Sequence, residues 1–116
     1  RDFATTGDGQ LTAIQLLSIM ARREIKLSEL ASVMQRYPQE LINVQVSPEG
    51  KIAFYTDPCV HEATERARQE LGENGRIIIR VSGTEPLIRV MVEGRDIEQV
   101  RRVCREAAEV VRRNLN

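Results

Sequence analysis

Two segments rich in β-branched residues, Arg76 to Val81 and Leu87 to Glu93, stand only five residues apart. A gap that short argues for a β-hairpin. Upstream, Asp57-Pro58 marks a helix start, because aspartate can cap free backbone N–H groups while proline has none to offer at the first helical position. Val60, Ala63, Ala67 and Leu71 line one side of that helix, Gly72 ends it and Asn74-Gly75 supplies a turn. Downstream, Asp96 with Gln99 has the spacing of a capping box, and Ile97, Val100, Cys104, Ala107 and Val111 run down one side of a closing helix.

Before these elements, Leu11, Ile14, Leu17 and Ala21 recur at helical spacing, which predicts an amphipathic helix from about Leu11 to Arg23. Ser28 is a candidate cap for a shorter helix carrying Leu30, Ala31 and Met34, stopped by Tyr37-Pro38. Leu41 to Val46 reads as a strand, Ser47-Pro48-Glu49-Gly50 as a turn, and Lys51 to Tyr55 as a short extended piece. The order of elements suits an α+β domain, with helices packed on one face of an antiparallel sheet. Residues 1–37 are expected to be the helical tail of a preceding domain with its linker, and residues 38–116 the compact domain proper.

The chain carries 17 Lys plus Arg against 17 Asp plus Glu, so no excess charge advertises a nucleic acid or an anionic membrane as partner. Any basic site must be local. Apolar runs fall far short of the roughly 20 residues that span a bilayer, and a soluble, cytoplasmic setting is expected. Cys59 and Cys104 are too few for a disulfide framework, and their apolar neighbours predict buried thiols. A start at Arg1, with Gly7-Asp8-Gly9 following almost at once, gives the expectation of an excised segment.

The hairpin loop concentrates the chemistry. Arg80-Val81-Ser82-Gly83-Thr84-Glu85-Pro86-Leu87-Ile88-Arg89 places two guanidinium groups, two hydroxyls and a glycine around one chain reversal. Arginine offers a rigid fork of donors that matches phosphate, hydroxyls add further donors, and Gly83 lets backbone N–H groups approach an anion without a Cβ in the way. Each charge-assisted hydrogen bond is worth roughly 1.5–3 kcal/mol net. The same residues also fit ordinary turn chemistry with solvent-facing arginines. In a symmetric hairpin Arg80 and Arg89 are expected to have opposite parity and to face opposite sides, so Arg80 is the primary assignment and Arg89 needs an irregular loop or a bulge to join it.

Residues 80–89 resemble the phosphate-binding loop of the α-D-phosphohexomutase superfamily, Arg-x-Ser-Gly-Thr-Glu-Pro-x-x-Arg, without a departure. Thr5-Thr6-Gly7-Asp8-Gly9, followed by Leu11-Thr12-Ala13, is similar to the entry into the last helix of the third domain in its phosphoglucosamine mutase branch. The resemblance implies a C-terminal, TATA-binding-protein-like domain of an enzyme that interconverts glucosamine 6-phosphate and glucosamine 1-phosphate, using a phosphoserine and Mg2+. It also implies that Arg80, Ser82, Gly83 and Thr84 contact the non-reacting phosphate, with Arg89 in addition, and that other domains of the same enzyme are partners. Glu85 and Pro86 would shape the loop, the glutamate turning away or pairing with an arginine. Residues Gln35 to Glu40 would be the hinge for domain closure.

The superfamily's serine loop, its metal loop of closely spaced aspartates and its sugar-recognition loop have no counterpart here, so by resemblance the chain alone should be inactive, with no cofactor of its own. Asp2 and Asp8 do not make a metal site, and Cys59 with His61 lacks a second pair of ligands for zinc. Arginines 101, 102, 105, 112 and 113 alternate with Glu98, Glu106 and Glu109, the mark of a solvated helix face. The alternatives are the same domain of a phosphomannomutase or phosphoglucomutase, or a small α+β RNA-binding or protein-interaction module.

Overall fold

The computed structural model describes residues 6–116. Thr5 and Asp2, which enter two of the sequence readings, lie outside these residues. The chain divides into two compact units, Arg1–Arg36 and Tyr37–Asn116. In the first, helix α1 (Gly9–Arg23) is capped by Asp8, whose side chain accepts from the Leu11 N–H at 2.9 Å. Its apolar side is not buried, because two short helices provide no second layer to close over it. Helix α2 (Leu27–Ala31) starts two positions earlier than a cap at Ser28 would place it. Lys26 occupies the cap position and no side chain caps the helix.

The second unit is built on a three-stranded sheet: β1 (Gln39–Gln45), β2 (Gly75–Val81) and β3 (Leu87–Gly94) in the order β1-β3-β2, antiparallel at both pairings. β1 and β2 thus run parallel with β3 between them, so the chain linking them must cross over one face of the sheet. It does so through α3 (Pro48–Ala53) and α4 (Pro58–Leu71), and α5 (Ile97–Leu115) returns over the same face. This is the expected α+β arrangement, helices on one side of an antiparallel sheet.

The period of two along the strands decides what lies inside. Ile88, Val90 and Val92 on β3, with Val44 on β1 and Ile77 on β2, face the helices and are almost fully buried. Val100, Val103, Cys104, Ala107, Ala108 and Val111 on α5 meet them, and the two alanines let helix and sheet approach closely. At the outer edge of this layer Arg102 pairs with Glu70 of α4 and with Glu106, its guanidinium holding the Glu70 carboxyl below the usual range by hydrogen bonding. The Gln99 amide donates to the Glu70 carbonyl at 3.2 Å, so the expected capping box is not closed: Asp96 caps α5 by accepting from the Glu98 N–H, and Gln99 ties two helices together instead.

The cysteines divide. Cys104 is buried, its thiol donating to the Val90 carbonyl at 3.5 Å, but Cys59 is exposed, contrary to the expectation from its neighbours, because the second position of α4 turns away from the sheet. Burial, helped by the charge of Glu40, pushes the Cys104 thiol up from 9.0 to about 11. Cys59 should therefore react with a maleimide within minutes at neutral pH while Cys104 reacts only on unfolding, as mass spectrometry of the labelled chain would show. Since the native state holds the Cys104 proton more tightly than the unfolded chain does, its contribution to stability is complete below pH 9 and is lost as pH rises toward about 11. A flat denaturation midpoint across that window would contradict this.

The largest departure from the sequence reading lies between β1 and α4. Residues Lys51 to Tyr55, expected to be extended, begin inside the α3 helix: Ser47 caps it, accepting from the Gly50 N–H at 3.0 Å, and Pro48 takes the first helical position. Gly50 permits α3 to lie against the end of α5, where an added Cβ would fall 1.9 Å from the Leu115 carbonyl oxygen. Those are the same residues that suit a turn, and only the docking of α3 onto α5 distinguishes the two.

Candidate functional site

Within the second unit the helices leave one face of the sheet bare, and the arginines of the hairpin stand on it. Arg80 and Arg89 are direct cross-strand partners, so both point the same way and no bulge is needed. The parity expectation was misplaced because residues paired across a hairpin share a face whatever their separation in sequence. Asn43 of β1 flanks Arg89 on its other side, and the next row down is Leu41, Met91 and Ile78. Together Arg80, Arg89, Gln39, Leu41, Ile78 and Met91 line a cleft of about 320 Å³. Asn43 escaped the sequence reading although its position in the strand alternation would have marked it.

Like charges directly opposite each other destabilise a sheet unless an anion compensates them. Glu85 compensates one: its Oε2 lies 2.6 Å from Arg89 Nη2, the pairing anticipated for this acid. Arg89 Nε, though buried, has no hydrogen-bond partner, and Arg80 is exposed with no ion-pair partner among the described residues. One of the two guanidinium groups, that of Arg80, thus stands at the cleft with no anionic partner among the described residues.

Between the arginines the loop is held tightly at its base. The Ser82 N–H donates to the Leu87 carbonyl at 2.9 Å, and the Val46 N–H of the chain leaving β1 donates to the Pro86 carbonyl at 3.1 Å. Ser82 is buried, its hydroxyl accepting from the Glu85 N–H at 3.3 Å and lying 3.5 Å from Glu85 Oε2. Gly83 and Thr84 form the exposed tip, and their N–H groups have no partner among the described residues. At Gly83 the φ angle is not positive and a Cβ would meet nothing within 4 Å, so the fold itself does not demand a glycine there. Open space in front of unpaired amides is what an incoming anion requires.

Lys51 was missed altogether. From α3 its Nζ donates to the Ser82 carbonyl at 2.7 Å and to the Glu85 carbonyl at 3.1 Å, gripping the loop from the side of the sheet that the helices cover. Reading its segment as extended left no reason to bring it there. Among the described residues no group of three or more His, Cys, Asp and Glu could hold a metal ion, so Mg2+ has no fitting ligand set among them. The arginines of α5 sit among their glutamates as expected, Arg101 with Glu98 at 3.1 Å and Arg112 with Glu109. No helix among the described residues is long and apolar enough to cross a membrane.

Residues 41–110 match the C-terminal domain of the phosphoglucomutase/phosphomannomutase family, and residues 1–37 match its alpha/beta/alpha domain III. The chain is 54% identical over 113 residues to a phosphoglucosamine mutase of Rubrobacter xylanophilus, covering 97% of this chain and 26% of that protein. Identity to a phosphoglucosamine mutase of Caldanaerobacter subterraneus subsp. tengcongensis is 47% over 115 residues, again 26% of the relative's length. The chain therefore spans about a quarter of the curated relatives it matches. In fold it is similar to Aspergillus fumigatus N-acetylphosphoglucosamine mutase, with a TM-score of 0.72 at 22% identity over 88% of this chain and 20% of that one. A structure of that fungal enzyme in complex with GlcNAc-6P and magnesium superposes with a TM-score of 0.69 at 20% identity, over 90% of this chain and 21% of that one. By its match over residues 41–110, the chain belongs to the phosphoglucomutase/phosphomannomutase family and carries that family's C-terminal domain.

Proposed function

We propose that the bare sheet face and hairpin loop hold the non-reacting phosphate of a phosphosugar, within an enzyme that interconverts glucosamine 6-phosphate and glucosamine 1-phosphate. Arg80, free and directly opposite Arg89, is the observation that carries this reading. Beside it the Gly83 and Thr84 amides and the Thr84 hydroxyl complete a donor set. Ser82 would contribute once its hydroxyl turns from Glu85, and Arg89 through the part of its fork that Glu85 leaves open. The choice of amino sugar rests on the relatives named phosphoglucosamine mutase. Under this reading residues 1–37 end the preceding domain, residues 38–116 form the phosphate-holding one, and the phosphoserine and Mg2+ belong to other domains of the same enzyme.

Such a domain makes and breaks no bond. Its grip on a remote group supplies free energy that orients the sugar at the reacting centre, and a bisphosphorylated intermediate can offer either end to one grip. The test is an NMR titration of the 116-residue chain with glucosamine 6-phosphate and with glucosamine. The phosphosugar should shift the amide resonances of Arg80 to Thr84 with an affinity of about 1 mM, as one domain supplies only part of a site, and glucosamine should shift none of them. Equal responses to both sugars would refute phosphate recognition.

A further inference from the structure

We propose that Lys51 is a positioning residue for the anion loop, setting the direction of the Gly83 N–H by holding the carbonyl on the other side of the same peptide bond. This rests on the phosphate reading above. A trans peptide is planar, with its C=O and N–H pointing in opposite directions, and there is no cis bond among the described residues. The Ser82 carbonyl lies 2.7 Å from Lys51 Nζ, so the Gly83 N–H of that same plane is directed away from α3. The second carbonyl held by Lys51, that of Glu85, precedes Pro86, which has no N–H to misdirect. One ammonium therefore holds two of the loop's carbonyls inward, that of Glu85 together with the Leu87 N–H at 2.9 Å, and leaves the Gly83 donor facing out. Its charge also polarises the Ser82–Gly83 peptide, which strengthens that donor.

The position of Lys51 is itself determined by the fold. Ser47 caps α3 and Gly50 allows the helix to seat against the Leu115 carbonyl, and the next residue is Lys51. An exposed lysine elsewhere would add positive charge near the site but would not orient a peptide plane. That difference makes the role separable from simple electrostatic attraction.

The experiment compares the 116-residue chain with Lys51→Met, Lys51→Arg and Arg80→Ala, titrating each with glucosamine 6-phosphate at low and high salt and recording the Gly83 amide resonance before ligand is added. Lys51→Met should weaken binding roughly ten-fold at both salt concentrations, the loss of a hydrogen bond to a charged group. It should also move the Gly83 resonance in the free chain. Lys51→Arg, which can still donate to both carbonyls, should retain binding within about three-fold. If Lys51→Met does not fold, Lys51→Gln keeps one donor in place and should give an intermediate loss.

Wild-type affinity and an unmoved Gly83 resonance in Lys51→Met would overturn the positioning role, while a loss of binding in Arg80→Ala would leave the phosphate site standing. A weakening that vanishes at high salt would also overturn it, since long-range attraction is screened and peptide orientation is not. Absence of binding to the unsubstituted chain would remove the phosphate reading and this proposal with it.

Discussion

Replacing Arg80 with alanine is expected to weaken glucosamine 6-phosphate binding about thirty-fold, since a lost charge-assisted hydrogen bond to phosphate is worth about 2 kcal/mol and each 1.4 kcal/mol is a factor of ten. From a starting point of about 1 mM this puts binding beyond the reach of an ordinary titration. The thermal midpoint should stay within about 2 °C, because an exposed side chain with no ion-pair partner among the described residues contributes little to stability. Removing the like-charge pairing of Arg80 with Arg89 works against any loss. Titration and calorimetry on the same sample separate the outcomes. A midpoint that falls by 10 °C or so would assign Arg80 a structural role, and unchanged affinity would exclude it from the site.

Ile88→Ala, one residue before Arg89, should have the opposite profile. Ile88 is fully buried between Val44 and Val81 on the neighbouring strands, facing the helices. Truncation removes its transfer free energy and leaves a cavity, at a cost of about 3 kcal/mol. That is a large part of the roughly 5–15 kcal/mol a domain possesses, and corresponds to a fall of about 15 °C in midpoint for a unit of this size. At temperatures where the variant is still folded, phosphosugar affinity should change less than three-fold, because the side chain lies on the face away from the cleft. Thermal unfolding followed by circular dichroism would check the first part. A loss under about 3 °C would mean that the hairpin is not supported from the helical side.

These two neighbours show why alternation along β3 matters more than the identity of any one residue. The even positions 88, 90 and 92 build the core; the odd positions 89 and 91 build the cleft. The hairpin, the capped start of α4, the buried side of α5 and the α+β class were all legible in local patterns, because hydrophobic period and turn chemistry are written in consecutive residues. The proposed donors Arg80, Ser82, Gly83, Thr84 and Arg89 were legible as a set of groups with the right chemistry. Their arrangement was not: that Arg80 faces Arg89, that Ser82 is turned into the loop against Glu85, and that Gly83 and Thr84 form its tip follow from register and from the loop's own bonds.

Residues 47–55 show the limit most clearly. Ser-Pro-Glu-Gly satisfies a turn and a capped helix equally well, and nothing nearby in the sequence chooses. The choice is made by the end of α5, more than sixty residues away at Leu115, which accepts the bare backbone of Gly50.

The order of residues by itself determined most of the strands and helices and marked one ten-residue stretch as the candidate anion binder, since those depend on neighbours within a turn or two of chain. Only the tertiary structure decided that both arginines share the bare face, that Glu85 restrains one of them, and that Lys51 holds the loop from behind. Each is a contact set by strand register or helix docking, and free energy of that kind comes from surfaces that meet only when the chain has folded.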